Sequence, residues 1–280
     1  MFNESSFFKD VKPLFILGVP RSGTTFLQQV INTHPQILIT DELRVVSWIF
    51  QEARKLRGGF QENGDPYPFN HGEEFASYLT KNCGTIIAPF YFSKAQKLGK
   101  QKILYWGDKY PHYHAILDQM LESFPRGSYI FIYRDLKDVI CSVKNGHGWN
   151  VEKSANYVCK IYEEYMTSFD KFLQSQEMAR DQLICVDYVR LSTNLKQESQ
   201  KIFDQLNLDL QESTLEEIDQ LSGVQSHSLR KEKSSAKKFN FNQSNERWKK
   251  ELNDEEIELI SNKIDNIQHW IDYYYNYLLS

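Results

Sequence analysis

Pro13-Leu-Phe-Ile-Leu-Gly-Val-Pro-Arg-Ser-Gly-Thr-Thr-Phe-Leu-Gln-Gln-Val30 is the stretch that decides the fold. Its first part, Leu14 to Leu17, is an unbroken apolar run and predicts a buried strand. After Thr24 the spacing turns helical, with Phe26, Leu27, Val30 and Ile31 on one side. Between the two lies Gly18-x-x-x-x-Gly23-Thr24-Thr25, the spacing of a phosphate-cradling P-loop with threonine in place of the usual lysine. Such a loop turns the N–H groups of Ser22 to Thr25 toward an anion, and the helix behind it adds its positive N-terminal end. The missing cation reappears inside the loop as Arg21. Simple capping of a helix by these residues is the plainer alternative, and the paired glycines argue against it.

Working outward, Ile37 to Ile39 predicts a short strand that ends in Asp41-Glu42-Leu43-Arg44, at the sheet edge where open α/β folds bind ligands. Val45 to Leu56 has helical spacing, Gly58-Gly59 and Asp65-Pro-Tyr-Pro68 break it, and residues 72–98 are aromatic-rich and helical in character. Ile103 to Trp106 predicts another strand, followed by Gly107-Asp108-Lys109-Tyr110-Pro111 and a helix that stops near Pro125. Tyr129 to Tyr133 is the clearest buried strand and runs into Arg134-Asp135 and a helix through Val143. A long amphipathic helix over 154–174, a strand over Leu183–Val186, and Asp187-Tyr188 opening a further helix complete the pattern. Strands alternating with helices predict an α/β fold with a mostly parallel central sheet covered on both faces. The segment from His227 to Phe239 is basic and without periodicity, which predicts a surface loop. Asn253 reads as the N-cap of a late helix, and Tyr273 to Tyr277 as the patch that packs it onto the body.

With a formal net charge of −4, the chain gives no sign of general nucleic-acid binding. Cys83, Cys141, Cys159 and Cys185 are widely spaced without a C-x-x-C pair, which predicts reduced thiols rather than a metal site. The first residues contain no long apolar segment, so no signal peptide or membrane anchor is expected and a cytoplasmic location is the default.

Taken together, two motifs resemble the sulfotransferases that use 3′-phosphoadenosine 5′-phosphosulfate (PAPS). Pro20-Arg-Ser-Gly-Thr-Thr25 is similar to their 5′-phosphosulfate loop, and Tyr133-Arg-Asp-Leu-Lys-Asp-Val-Ile-Cys-Ser142 to their 3′-phosphate strand and helix. Asp187-Tyr-Val-Arg-Leu191 and Arg247-Trp248-Lys249 resemble later elements, so that the likeness covers most of residues 13–260. It is nearest to the tyrosylprotein sulfotransferases and their bacterial relatives, through Glu42-Leu-Arg44 and Lys109-Tyr-Pro111. The resemblance implies a P-loop NTPase-like sulfotransferase fold and PAPS as sulfuryl donor, with no metal. It makes Glu42 the catalytic base and Arg21 and Lys109 the phosphosulfate ligands. Arg134 and Ser142 become the 3′-phosphate ligands, and Tyr188 an adenine neighbour. Ser22, Gly23, Thr24 and Thr25 would cradle the anion.

On this basis residues 1–280 form one domain. Residues 8–44 carry the loop and the base, 45–100 an acceptor-side insertion, 101–206 the 3′-phosphate part and core, and 207–280 a lid loop and C-terminal helices. Several alternatives stand beside these roles. Glu42 and Lys109 also suit solvated surface charges. His112 and His114 are rival bases, and Asp135 is the one acid that suits Mg²⁺. The 227–242 segment is either a solvated surface or a lid. A metal-dependent P-loop kinase or hydrolase, and a non-catalytic nucleotide-binding module, are the rival functions. The acceptor is a hydroxyl of a small molecule, a sugar or a peptide tyrosine, with the aromatics Phe60, Tyr67, Phe69, Phe75, Tyr78, Phe90, Tyr91 and Phe92 as a possible wall. The sequence sets no oligomeric state.

Overall fold

Side chains of β1 (Lys12–Leu17) alternate between two cores: Leu14 and Ile16 enter one, Phe15 and Leu17 the other. In a computed structural model of the chain, residues 11–57, 71–100, 102–175, 182–221 and 245–278 are described, without the side chains of residues 71, 175 and 274–278. The other strands are β2 (Ile37–Asp41), β3 (Tyr105–Lys109), β4 (Ser128–Tyr133) and β5 (Leu183–Asp187). They pair in the order β2-β3-β1-β4-β5, and every pairing is parallel. Parallel strands buried on both faces need apolar residues at consecutive positions, which is why they stood out in the sequence.

The helices, in chain order, are α1 (Thr24–Asn32), α2 (Val45–Arg57), α3 (His71–Lys81), α4 (Cys83–Lys97), α5 (Leu117–Ser123), α6 (Leu136–His147) and α7 (Val151–Ser175). Then come α8 (Tyr188–Thr193), α9 (Leu195–Gln205), α10 (Glu212–Leu221), α11 (Trp248–Glu251), α12 (Asp254–Asp265) and α13 (Gln268–Leu278). Apolar residues of α1, α8, α9 and α10 cover one face of the sheet. Those of α2, α4, α5, α6, α7 and α12 cover the other.

Polar side chains fix where helices begin. Asp135 caps α6 by accepting from the Lys137 N–H at 2.8 Å, and Asp187 caps α8 from the Arg190 N–H at 2.7 Å. Asn253 and Glu256 form a reciprocal capping box at α12. The four thiols are unpaired, Cys83 and Cys141 buried and the other two half-buried. Among the described residues no helix is long and apolar enough to cross a membrane.

The third strand begins and ends two to three residues later than its apolar run suggests, because Gly107, Asp108 and Lys109 continue it into the core. The aromatic stretch after residue 71 is two helices that meet at Asn82. The basic 227–242 segment, Phe60, Tyr67 and Phe69 lie outside the described residues, as do the side chains of Tyr274, Tyr275 and Tyr277.

Candidate functional site

The strand order puts the loop that follows β1 at the middle of the sheet's C-terminal edge, with β2 and β3 on one side and β4 and β5 on the other. Gly23, at φ 106°, is the N-cap of α1, and Thr24 and Thr25 open its first turn. A Cβ on Gly23 would stand 2.4 Å from the Tyr188 ring, so the loop can lie against that ring only as glycine. Arg21 also holds a left-handed backbone, at φ 76°. Its Nε donates to Ser142 Oγ at 3.1 Å. The Arg134 Nη1 in turn donates to the Arg21 carbonyl at 3.3 Å, and its guanidinium lies 4.5 Å over the buried Tyr188 ring. The loop, the end of β4, α6 and the start of α8 thus converge on one spot.

A third arginine joins them. Asp138, in the first turn of α6, accepts from the backbone N–H groups of Glu246 at 2.9 Å and Trp248 at 3.3 Å. That grip brings Arg247 near enough for its charge to be felt. Burial, then the like charges of Arg247 and Arg134, draw the Arg21 guanidinium below its ordinary value. Cations held together in this way favour an anion between them. The Ser22 hydroxyl is buried here without a hydrogen-bond partner. A buried orphan of this kind calls for a ligand, and the loop's chemistry suits a phosphate group.

On the other side of the loop stand Asp41, Glu42 and Arg44 after β2, and Lys109 at the end of β3. Lys109 is 1% exposed, and its ammonium contacts the Asp41 carboxylate and Glu42 Oε1, the latter at 3.1 Å. Arg44 Nη2 reaches Glu42 Oε2 at 3.3 Å, and its guanidinium covers the Tyr110 ring at 4.9 Å. The Glu42 N–H donates to the Lys109 carbonyl at 2.9 Å. Glu42 and Arg44 both sit in the left-handed region, at φ 53° and 62°, which costs about 1–2 kcal/mol each outside glycine. The buried Asp108 carboxylate takes four donors around this turn, namely Thr40 Oγ1 (2.7 Å), Leu43 N–H (3.0 Å), Arg44 N–H (3.1 Å) and Tyr113 Oη (2.8 Å). Burial raises its carboxyl above the ordinary value and these donors pull it back.

Glu42 also borders a cleft of about 730 Å³ along the outer edge of β2, within the range of small-ligand sites. Trp48, Phe90 and Leu98 form an apolar wall of the cleft and are 59%, 48% and 58% exposed. The strand edge on its floor is already satisfied at Ile39, whose N–H and C=O pair with the Asn32 carboxamide, joined by Gln28. Of the other aromatics, Tyr91 is buried, Phe92 half-buried, and Phe75 and Tyr78 exposed. His112 and His114 face each other at 3.4 Å; His114 also binds Glu164, and His112 the Tyr157 hydroxyl at 3.5 Å. Burial, then the neighbouring His114, hold His112 below its ordinary value. Asp135 is occupied as the α6 cap, and among the described residues no three His, Cys, Asp or Glu side chains gather as a metal site.

The structure therefore forms two clusters flanking one loop: Arg21, Arg134, Ser142 and Tyr188 with Gly23 on one side, and Glu42 with Lys109 on the other. Asp108 and Asp138 have no role in the sequence reading, and Arg247 enters it only within the segment that resembles a later element of the family. Asp108 stands beside Lys109 and Asp138 one turn after Arg134, and nothing in either spacing announces which backbone each will hold.

The chain belongs to the sulfotransferase family, whose model matches residues 13–212. It is 26% identical over 146 residues to a protein-tyrosine sulfotransferase of Drosophila melanogaster, covering 49% of this chain and 26% of that one. The matched stretch is 16% to 34% of the length of the curated relatives it matches. Among solved structures, the sulfotransferase domain of the curacin biosynthetic pathway superposes with a TM-score of 0.55 at 17% identity, covering 91% of this chain and 98% of that one. A mouse sulfotransferase, SULT7A1, solved with PAP, gives 0.53 at 13% identity, covering 97% and 92%. At these identities the likeness to solved structures is one of fold.

Proposed function

We propose that this chain transfers the sulfuryl group of PAPS to an acceptor hydroxyl by in-line displacement. The observation that carries it is the junction of Arg21, Ser142 and Arg134, where a P-loop-like anion cradle without its lysine touches a second cationic site built on β4 and α6. A nucleotide with a phosphosulfate at one end and a 3′-phosphate at the other suits such a double site. PAP, carried by the mouse structure, is that nucleotide without the sulfuryl group. Within this assignment the loop N–H groups from Ser22 to Thr25, with Arg21, hold the phosphosulfate, and Arg134 and Ser142 hold the 3′-phosphate. Tyr188 supports the loop and the Arg134 guanidinium from beneath.

PAPS, when bound, supplies the sulfuryl group and a phosphate leaving group. Glu42 takes the proton of the acceptor hydroxyl. Its carboxylate pairs with Lys109 and Arg44, and the residue borders the apolar cleft. Arg21 and Lys109 place positive charge where the departing phosphate gathers negative charge, which lowers the barrier most when the charges are fixed in advance. The engagement of His112 and His114 with each other, Tyr157 and Glu164 favours Glu42 as base. With labelled PAPS and an acceptor panel in EDTA, the wild type should label an acceptor, and Glu42→Gln should lower the rate about 10²- to 10⁴-fold. Full transfer by Glu42→Gln removes Glu42 as base, and ATP-dependent, Mg²⁺-dependent transfer instead favours the kinase.

We further infer that the acceptor carries its hydroxyl on an apolar or aromatic body. The wall beside Glu42 is Trp48, Phe90 and Leu98, and the Lys100 ammonium at the same cleft is already spent on the carbonyls of Asn32, His34 and Ile37. Trp48→Ala should raise the acceptor KM about 10- to 100-fold, the loss of one large apolar contact, with the donor KM unchanged. A preference for sugars over phenols and long-chain alcohols would contradict this choice of acceptor.

A further inference from the structure

We propose that Asp108 is a positioning residue for the base, holding the Glu42 turn in the geometry from which Glu42 reaches the acceptor. The proposal rests on Glu42 acting as the base. Asp108 is 0% exposed and sits on β3, one residue before Lys109. Its four donors are not those of an ordinary strand residue. Three come from the base-bearing segment itself: the Thr40 hydroxyl before Glu42, and the N–H groups of Leu43 and Arg44 just after it. The fourth is the buried Tyr113 hydroxyl, which fixes the carboxylate from the far side.

That arrangement answers a local problem. Two non-glycine residues in three positions hold a left-handed backbone, and a short turn left to itself relaxes out of such a conformation. The Glu42 N–H is tied to the Lys109 carbonyl, which fixes only the start of the turn. Asp108 grips its end through two N–H groups, one on each carboxylate oxygen. The charge matters as well as the shape, because only a carboxylate accepts at both oxygens. A side chain whose sole task was to fill β3 would be apolar, as a charge buried without such work is costly. The ion pair from Lys109 to Glu42 also depends on the turn, so Asp108 sets the register between base and cation together.

Asp108→Asn tests the idea, since it keeps the shape but presents N–H₂ either to the Arg44 N–H and the Tyr113 hydroxyl or to the Leu43 N–H and the Thr40 hydroxyl. The expected result is a kcat about 10²-fold lower, the cost of a small misplacement of a reacting group. Affinity for 3′,5′-ADP stays at the wild-type value, because the Arg21, Arg134 and Ser142 side of the loop is untouched. The double variant Asp108→Asn with Glu42→Gln should be no slower than Glu42→Gln alone, since two residues acting through one group do not add. Tyr113→Phe removes one donor, leaves the carboxylate in place, and should lower kcat about 10-fold by the same route; it carries the test if Asp108→Asn does not fold. Additive losses in the double variant, or nucleotide affinity falling in step with kcat, reduce Asp108 to a stabilising residue and overturn the proposal. An inactive Glu42→Gln beside a fully active Asp108→Asn and Tyr113→Phe overturns it alone. Full activity in Glu42→Gln overturns the base assignment and this proposal with it.

Discussion

Arg21, Glu42 and Arg44 are three of the five non-glycine residues with positive φ among those described. Each is held there by a neighbour that the site also uses: Arg21 through Ser142 and Arg134, and the Glu42–Arg44 turn through Lys109 and Asp108. Strain that collects around one pocket, rather than scattering over surface loops, marks a place where geometry matters more than stability. Gly23 is the counterpart, a position where any side chain meets Tyr188. Gly23→Ala should therefore cost about 1–3 kcal/mol, a fall of roughly 3–10 °C in Tm, and weaken 3′,5′-ADP binding at the same time. Differential scanning calorimetry with and without nucleotide checks both; an unchanged Tm would mean that the loop does not pack on Tyr188 as described.

At the scale of elements, the link from α1 to β2 carries a pH dependence. His34 Nδ1 accepts from the Gln36 N–H at 3.2 Å while Nε2 meets the Asp209 carbonyl at 3.2 Å, which demands a neutral ring. Burial, opposed by the Asp209 carbonyl and aided by the Lys100 charge, holds its pKa below the ordinary 6.5. The unfolded chain then takes up the proton first as pH falls, so this stability is complete above about 6.5 and is lost below it. Chemical denaturation across about pH 5 to 7.5 should show the stability gap between wild type and His34→Gln narrowing on the acid side; parallel curves would contradict it. The elements themselves were largely legible. Continuous apolar runs marked β1, β2, β4 and β5, because a parallel sheet buries both faces of a strand. The third strand was displaced in the sequence reading, for Gly107-Asp108-Lys109 looks like a turn. In the fold Gly107 lies so close to β1 that a Cβ would stand 1.8 Å from the Leu14 carbonyl oxygen, and the two charges are buried with partners. The loop, Arg134 and Ser142 were visible as motifs. What no pattern revealed was the supporting set, Asp108 and Asp138, because a carboxylate that binds distant backbone leaves no local periodicity.

The whole molecule places three anion-handling regions along one sheet edge. Its order β2-β3-β1-β4-β5 sets the loop at the centre, Glu42 and Lys109 after β2 and β3, and Arg134 and Ser142 beyond β4. Ligands of open α/β sheets bind outside the carboxyl ends of the strands, where neighbouring connections part. Here the apolar cleft at Glu42 and the arginines at Ser142 lie on opposite sides of the central loop, which suits an acceptor on one side and a nucleotide on the other. The central claim is that the arginine end is built for a nucleotide bearing a 3′-phosphate. Calorimetry of 3′,5′-ADP and of ATP against wild type and Arg134→Ala, all in EDTA, tests it most directly. Wild type should bind 3′,5′-ADP more tightly than ATP, and Arg134→Ala should weaken 3′,5′-ADP about 100-fold, the worth of roughly 2–3 kcal/mol of charge-assisted hydrogen bonding. Tighter binding of ATP, or 3′,5′-ADP held equally well by wild type and Arg134→Ala, would contradict it.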